Sequence, residues 1–360
     1  MPVSVLDRTR NHVEFRLSRS RRSRAAALCA VAALALVAGC GGKEDNASSI
    51  VRTTTNIAGA GVVGVERDTT TACPLPSTPD QASGTRAVTH AAGVSQVPAD
   101  PQRIVVLSTA ALDAVCGVGL WERVVGAVAL DGPRAQPQYL GYGVLEIPGI
   151  GSGAQPDLAK IAELRPDVII GEMPSSASSF DGLQQIAPTV LVGTDKGWQA
   201  EFLSYAAGLD RSTAAEKALA DYRAEAETTG IEIAAAQSQA SVVRFTAGAI
   251  QIQGSNSFAG QVLADAGVQR PTAQRGTSAD VPPADLERVE GDIIYVLFDG
   301  AAGKTFGEKT LRSDDFKELG ASKDKRVFAA EDSVWHGNGL TAARAMLTDL
   351  RNTLNGYVTD

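Results

Sequence analysis

Trp335 and His336 stand side by side in Asp-Ser-Val-Trp-His-Gly-Asn-Gly (332–339), just ahead of an amphipathic helical pattern over 341–354. An indole and an imidazole in a Gly/Asn loop before a helix suit the wall of a ligand site. Catalytic signatures are missing around them. The chain contains no G-x-S-x-G, no P-loop and no H-E-x-x-H, and His336 has no nucleophile at motif spacing. Gly-Ile-Gly-Ser-Gly-Ala (149–154) resembles a glycine-rich loop, but it precedes a helix without following a clear strand, so a dinucleotide reading is weak. With three histidines and four cysteines, none at zinc-ligand spacing, a Cys/His metal centre is not expected. The residues point to binding rather than to an enzyme.

The elements that would position such a site alternate between strand and helix. Apolar, β-branched runs at 103–107, 124–129 and 168–171 are separated by helical patterns at 110–120 and 158–164. After residue 240 the alternation repeats, with Ser-Val-Val-Arg-Phe (241–245) and Asp-Ile-Ile-Tyr-Val-Leu (292–297) as strands. Between the halves, residues 212–240 predict one long helix. Thr213 and Glu216 have capping-box spacing, Ala215, Leu219, Tyr222, Ala226 and Ile233 form a thin apolar stripe, and Lys217/Asp221 and Arg223/Glu227 are i,i+4 pairs. Gly230 is its soft point. The expected fold is α/β: two Rossmann-like lobes with mostly parallel sheets joined by a single long α-helix. The lobes are placed at 86–211 and 241–360, and a hairpin at 86–98, carrying His90 as a structural residue, opens the first. Ligands of open parallel sheets bind at the carboxyl ends of strands. That directs attention to 131–143, with Arg134, Tyr139 and Tyr142, to 171–180, and in the second lobe to 246–251, 275–281, 298–305 and 332–339.

The amino terminus is an address rather than fold. Seven arginines in residues 1–24, an uncharged apolar run from Ala25 to Ala38, and Val-Ala-Gly before Cys40 describe an export signal over 1–39. Cys40 in that context resembles a bacterial lipobox cysteine, which receives a diacylglyceryl anchor. Ser20-Arg21-Arg22 leaves Sec and twin-arginine export both open. Residues 40–85, rich in Gly, Thr, Ser, Ala and Pro, read as a flexible tether. The whole chain carries 33 basic and 41 acidic residues. Without the leader 26 and 39 remain, a net charge of −13, which argues against nucleic acid or an anionic membrane surface as a ligand. Cys73 and Cys116 lie in an exported body, so a disulfide across a loop of about 40 residues is one reading and a buried, reduced Cys116 the other.

Several stretches resemble a known family. Thr-His-Ala-Ala-Gly-Val-Ser-Gln-Val-Pro-Ala-Asp-Pro-Gln-Arg-Ile-Val-Val-Leu-Ser (89–108), Pro-Asp-Leu-Ala-Lys-Ile-Ala-Glu-Leu-Arg-Pro-Asp-Val-Ile-Ile (156–170), Ser-Val-Val-Arg-Phe (241–245), the run 257–271 and the terminal run 327–350 look like the ABC-transporter substrate-binding proteins for ferric siderophores, haem and vitamin B12. Within that family the chain is most similar to the ferric-dicitrate and iron–siderophore lipoproteins, over about residues 86–356. The resemblance implies a cleft between two lobes, little hinge motion, and capture and handover without catalysis or cofactor. It also implies a monomer lipid-anchored on the extracytoplasmic face of the cell membrane, whose ligand is a ferric siderophore, ferric citrate or haem and whose partner is an ABC permease. For such a chelate the candidate contacts are Arg134, Tyr139, Tyr142, Met173 and Trp198 from the first lobe and Arg244, Arg275, Trp335 and His336 from the second, with His336 or Met173 as axial ligand for a haem. One departure stands out. Where permease-coupled members carry a docking Glu on each lobe, this chain has Ala159 and Ala284, which favours an alternative: a haem or siderophore relay, or an envelope scaffold, not coupled to a permease.

Overall fold

The computed structural model describes residues 55–130, 134–173 and 176–354; the export signal, Cys40 and the first part of the expected tether lie outside them. In the first lobe, Ile104–Val106 is buried on both faces and pairs in parallel with Val124–Ala127 on one side and Val168–Met173 on the other. Thr189–Gly193 continues the sheet, also in parallel. Strands covered on both faces read as unbroken apolar runs, which is why Ile-Val-Val and Val-Ile-Ile were legible. Helix Thr109–Gly117 follows the central strand, its end capped by the Ser108 hydroxyl accepting from the Ala111 N–H. The hairpin pairs Thr85–His90 with Gly93–Pro98.

The second lobe is built on a seven-stranded sheet in the order Asn56–Ile57, Ala60–Val62, Val327–Ala329, Ile293–Phe298, Ala240–Phe245, Ile250–Ile252, Ala279–Val281. Its centre is parallel and both of its edges are antiparallel. One edge comes from the stretch expected as a tether. Gly61 and Val62 pair with Phe328 and Ala329, so from Asn56 onward that stretch is part of the fold. Strands of two and three residues carry no readable period; their pairing partner lies more than 260 residues away in the chain.

The same stretch is fastened further along as well. Arg67 donates to both Asp349 oxygens at 2.9 and 3.0 Å and to Glu331 at 3.3 Å, against the C-terminal helix Leu340–Leu354. Cys73 is joined to Cys116 of the first-lobe helix by a disulfide. Asp80 accepts from the Ser212 N–H at 2.7 Å and from the Thr213 N–H at 3.3 Å.

That last contact changes the account of the connecting helix, which runs over Ser212–Glu232 and is about 31 Å long. It stops eight residues short of the expected end, giving way to a turn at Ala235–Gln237 and the strand from Ala240. The Thr213/Glu216 capping box does not form; Asp80, distant in sequence, satisfies the free N–H groups instead. The stripe of Ala215, Leu219, Tyr222 and Ala226 is buried as its spacing predicts. Lys217 pairs with Asp221 at 2.7 Å, whereas Arg223 turns to the Gln199 side-chain oxygen. Gly230 is a contact point rather than a weakness: a Cβ there would lie 2.2 Å from the Ala266 carbonyl oxygen.

The lobes are locked together by carboxylates. Asp113, fully buried on the first-lobe helix, accepts from the N–H groups of Thr341 and Ala342 at 2.8 and 3.0 Å and so caps the C-terminal helix. Loss of solvation pushes its carboxyl up to about 6 in spite of those bonds. In the second such link, Asp265 of helix Phe258–Asp265 accepts from Gln199 at 3.0 Å and from the Tyr222 hydroxyl at 2.8 Å, joining the second lobe to the first and to the connecting helix.

The Asp113 shift carries a sign. The folded pKa lies above the unfolded one, so the native state holds the extra proton between about pH 4 and 6. The stability this contributes is full below the unfolded value and is lost as pH rises through about 6. Replacing Asp113 by Asn removes that slope. Unfolding free energies from urea titrations at pH 4.5 and pH 7.5 are expected to differ less for the variant than for the wild type, by about 2 kcal/mol; parallel pH profiles would refute the assignment.

Candidate ligand cleft

The carboxyl ends of the four strands of the first lobe's parallel sheet open onto one cleft. Leu107 and Ser108 follow the central strand, Val128–Leu130 follow its neighbour, Glu172 lies at the end of the third and Thr194 just past the fourth. The opposite wall comes from the second lobe: Gln251, Gln253, Ser257, Phe258, Ser278 and the loop His336–Asn338. The space between them is about 800 Å³, within the range of small-molecule sites.

The loop that carries His336 is held from across the cleft. Asn338 adopts a left-handed backbone (φ 57°), and its side-chain amide donates to Glu201 on first-lobe helix Trp198–Gly208. The next residue, Gly339, lies so close to Asp113 that a Cβ would meet its Cγ at 2.2 Å. Glu201 is buried, and its carboxyl is pushed up chiefly by lost solvation and further by the nearby charges of Glu172 and Asp195, against the Asn338 hydrogen bond. The His336 imidazole is held below its ordinary value by lost solvation first and by the Arg244 guanidinium second, so it is neutral at pH 7 and offers one donor and one acceptor. Apart from the Glu172 carboxylate, the other polar side chains on the walls are amides and hydroxyls. Gln253 donates to Gln251 at 3.1 Å, and Gln251 to Asp280 at 3.4 Å, which fixes part of the second-lobe wall.

Among sequence families, the model described as periplasmic binding protein matches residues 104–334. The chain belongs to the periplasmic binding protein family. It is 28% identical over 285 residues to the probable siderophore-binding lipoprotein YfiY of Bacillus subtilis, covering 74% of this chain and 87% of that one. To the Fe(3+)-citrate-binding protein YfmC of the same organism it is 23% identical over 260 residues, covering 71% and 81%. Among solved structures, Staphylococcus aureus SirA complexed with staphyloferrin B superposes with a TM-score of 0.65 at 23% identity, over 75% of this chain and 99% of SirA. YfiY and YfmC are named as binding proteins, and the two-lobed α/β architecture is that of the family.

Of the nine contact residues expected from the sequence, the structure puts His336 alone on the cleft wall. Arg244 lies near it, on the strand position paired with the cleft-lining Gln251, and pairs bidentately with Asp332 at 2.7 and 2.9 Å and with Asp299 at 3.0 Å. Trp335 is 1% exposed: residues Asp332–Trp335 form a helical turn that points the indole inward, where it lies 4.2 Å from the Tyr295 ring and donates Nε1 to Asp349. Trp198 is fully buried, edge-on to Tyr222 and Phe258, and backs the cleft wall without forming it. Both indoles are core because each begins or ends a helix whose apolar face packs against another element. Met173 is half-buried at a strand end, outside the lining, as an axial ligand could not be. Arg134 and Arg275 are exposed and outside the lining, Arg275 donating to the Arg270 carbonyl at 3.0 Å.

Tyr139 and Tyr142 belong to a different hollow of about 460 Å³, bordered by the 57–69 stretch, residues 138–145 and Ala329–Glu331. Tyr139 is buried there, its phenol pushed well above its ordinary value by lost solvation and the adjoining Asp113 charge, while Tyr142 is 79% exposed. The 298–305 segment likewise contributes to that hollow, through Phe298, and not to the cleft. Sequence reasoning passed over Ser108, Glu172, Gln251, Gln253 and Phe258, because polar and small residues at strand ends have no distinctive spacing. The rule that ligands meet the carboxyl ends of strands did reach Glu172, Gln251 and Ser278 as parts of segments.

Proposed function

We propose that this protein is a membrane-anchored extracytoplasmic receptor that captures a ferric siderophore or related iron chelate in the inter-lobe cleft and delivers it to an ABC importer. The observation that carries the reading is the cleft itself, about 800 Å³ with walls from both lobes at the strand ends and a loop held in place from the opposite side. A site formed in advance loses little freedom when it binds a bulky, rigid chelate. The names of the curated relatives, siderophore-binding and Fe(3+)-citrate-binding, support the ligand class. The Val-Ala-Gly-Cys40 sequence supports the anchor, and Cys40 lies outside the described residues.

Calorimetric titration with ferric siderophores is expected to give saturable binding that the iron-free forms lack. Two variants separate wall from core: His336→Ala weakens affinity about tenfold with a near-unchanged melting temperature, whereas Trp335→Phe lowers the melting temperature and leaves affinity within about twofold. Absence of saturable binding across hydroxamate, catecholate and carboxylate chelates sinks the receptor reading.

Fractionation of producing cells tests the anchor. Cys40→Ala is expected to move the protein from the membrane to the soluble exported fraction; a variant that stays with the membrane disproves anchoring through Cys40.

A second reading, a relay or scaffold that engages no permease, is favoured by Ala159 and Ala284, both exposed, one on each lobe, where the family resemblance leads one to expect docking glutamates. If coupling has been lost in this way, the paired change Ala159→Glu and Ala284→Glu strengthens co-purification with the cognate permease. Unchanged docking removes the support the alanines give that reading.

A further inference from the structure

We infer that the cleft selects ferric chelates of neutral or positive net charge, of the tris-hydroxamate kind, and disfavours the polyanionic catecholate and carboxylate kinds. This rests on the receptor reading above and concerns the charge of what the same site takes. No lysine or arginine lines the cleft among the described residues. The titratable side chains on the walls are Glu172 and His336.

The surroundings make the site more negative. Arg244, the cation beside His336, is bound to both Asp332 and Asp299, so the three together carry one net negative charge. Behind Asn338, Glu201 is close enough to Glu172 and Asp195 for their charges to raise its carboxyl. Two helix ends open onto the cleft, at Ser108 and Ser257, and each serine already accepts from its own helix, from Ala111 and Gly260. Besides Glu172, the side chains that meet a ligand are neutral, those of Gln251, Gln253, Ser278 and Asn338 and the imidazole of His336, together with Thr109 and Ala110 at the start of the helix after Ser108.

The chemistry of the chelates then separates them. Three hydroxamates each bring one negative charge to Fe(III), giving a neutral complex, and a pendant ammonium makes it cationic. Three catecholates leave the complex strongly anionic, and carboxylate chelates are anionic as well. A buried anion without a counter-charge is unfavourable, whereas neutral hydroxamate oxygens are satisfied by amide and hydroxyl donors. A pendant ammonium additionally gains from the carboxylate side of the cleft.

The test is calorimetry on the purified full-length protein in detergent, with four probes: ferric desferrioxamine B (cationic), ferrichrome (neutral), ferric enterobactin (anionic) and ferric citrate. The cationic and neutral probes are expected to bind at least about tenfold more tightly than either anionic one. Raising the salt concentration weakens the cationic probe and leaves the neutral one nearly unaffected. In Glu172→Gln, the ratio of cationic to neutral affinity falls about fivefold. Preference for an anionic probe overturns the inference and leaves the receptor reading standing, as does a Glu172→Gln ratio equal to that of the wild type. Failure of all four to bind removes the receptor reading and this inference with it.

Discussion

A single buried carboxylate sets the geometry on which the cleft depends. Asp113 belongs to the helix that follows the central strand of the first lobe, yet its two oxygens are taken up by the first N–H groups of the C-terminal helix, which packs with the second. The desolvation cost of such a group is offset by two hydrogen bonds and by the positive end of a helix of 15 residues. Removing either side would leave a buried charge or orphaned donors, so the two lobes cannot separate at this point without losing both. Because the cleft loop ends at Gly339, against Asp113, its path is fixed from the other lobe before any ligand arrives. Glu201 holding Asn338 repeats the device one residue earlier.

The stretch from Asn56 to Asp80 adds a second constraint by touching every major part of the body. It extends the second-lobe sheet, reaches the C-terminal helix through Arg67, joins the first-lobe helix through Cys73 and caps the connecting helix with Asp80. These attachments lie before residue 104, where the family match begins. Arg67 also has an indirect bearing on Trp335, since both donate to Asp349. An indole drawn into that network is held by the core and is out of reach of a ligand, whereas His336, one residue on and past the end of the helical turn, faces the cleft.

Together these contacts bond the two lobes to each other on the border of the cleft. Among the described residues the walls present amides, hydroxyls, small apolar groups, the Phe258 ring, the His336 imidazole and the Glu172 carboxylate, and no lysine or arginine.

The sequence by itself determined the alternation of strands and helices, the division into two lobes, the buried stripe of the connecting helix and the strand ends at which the cleft forms. These follow from periodicity and from the unbroken apolar runs of covered parallel strands, which are local properties. Only the tertiary structure decided which side chains face the cleft. Trp198 and Trp335 look like ligand walls in sequence because large aromatics are as common at sites as in cores, and what they pack against is set by elements far away in the chain. The same holds for Arg244, whose charge is answered by Asp332 and Asp299, for the capping of residue 212 by Asp80 rather than by its neighbours, and for the two short edge strands. In each case the deciding partner lies tens to hundreds of residues away, where no spacing rule reaches.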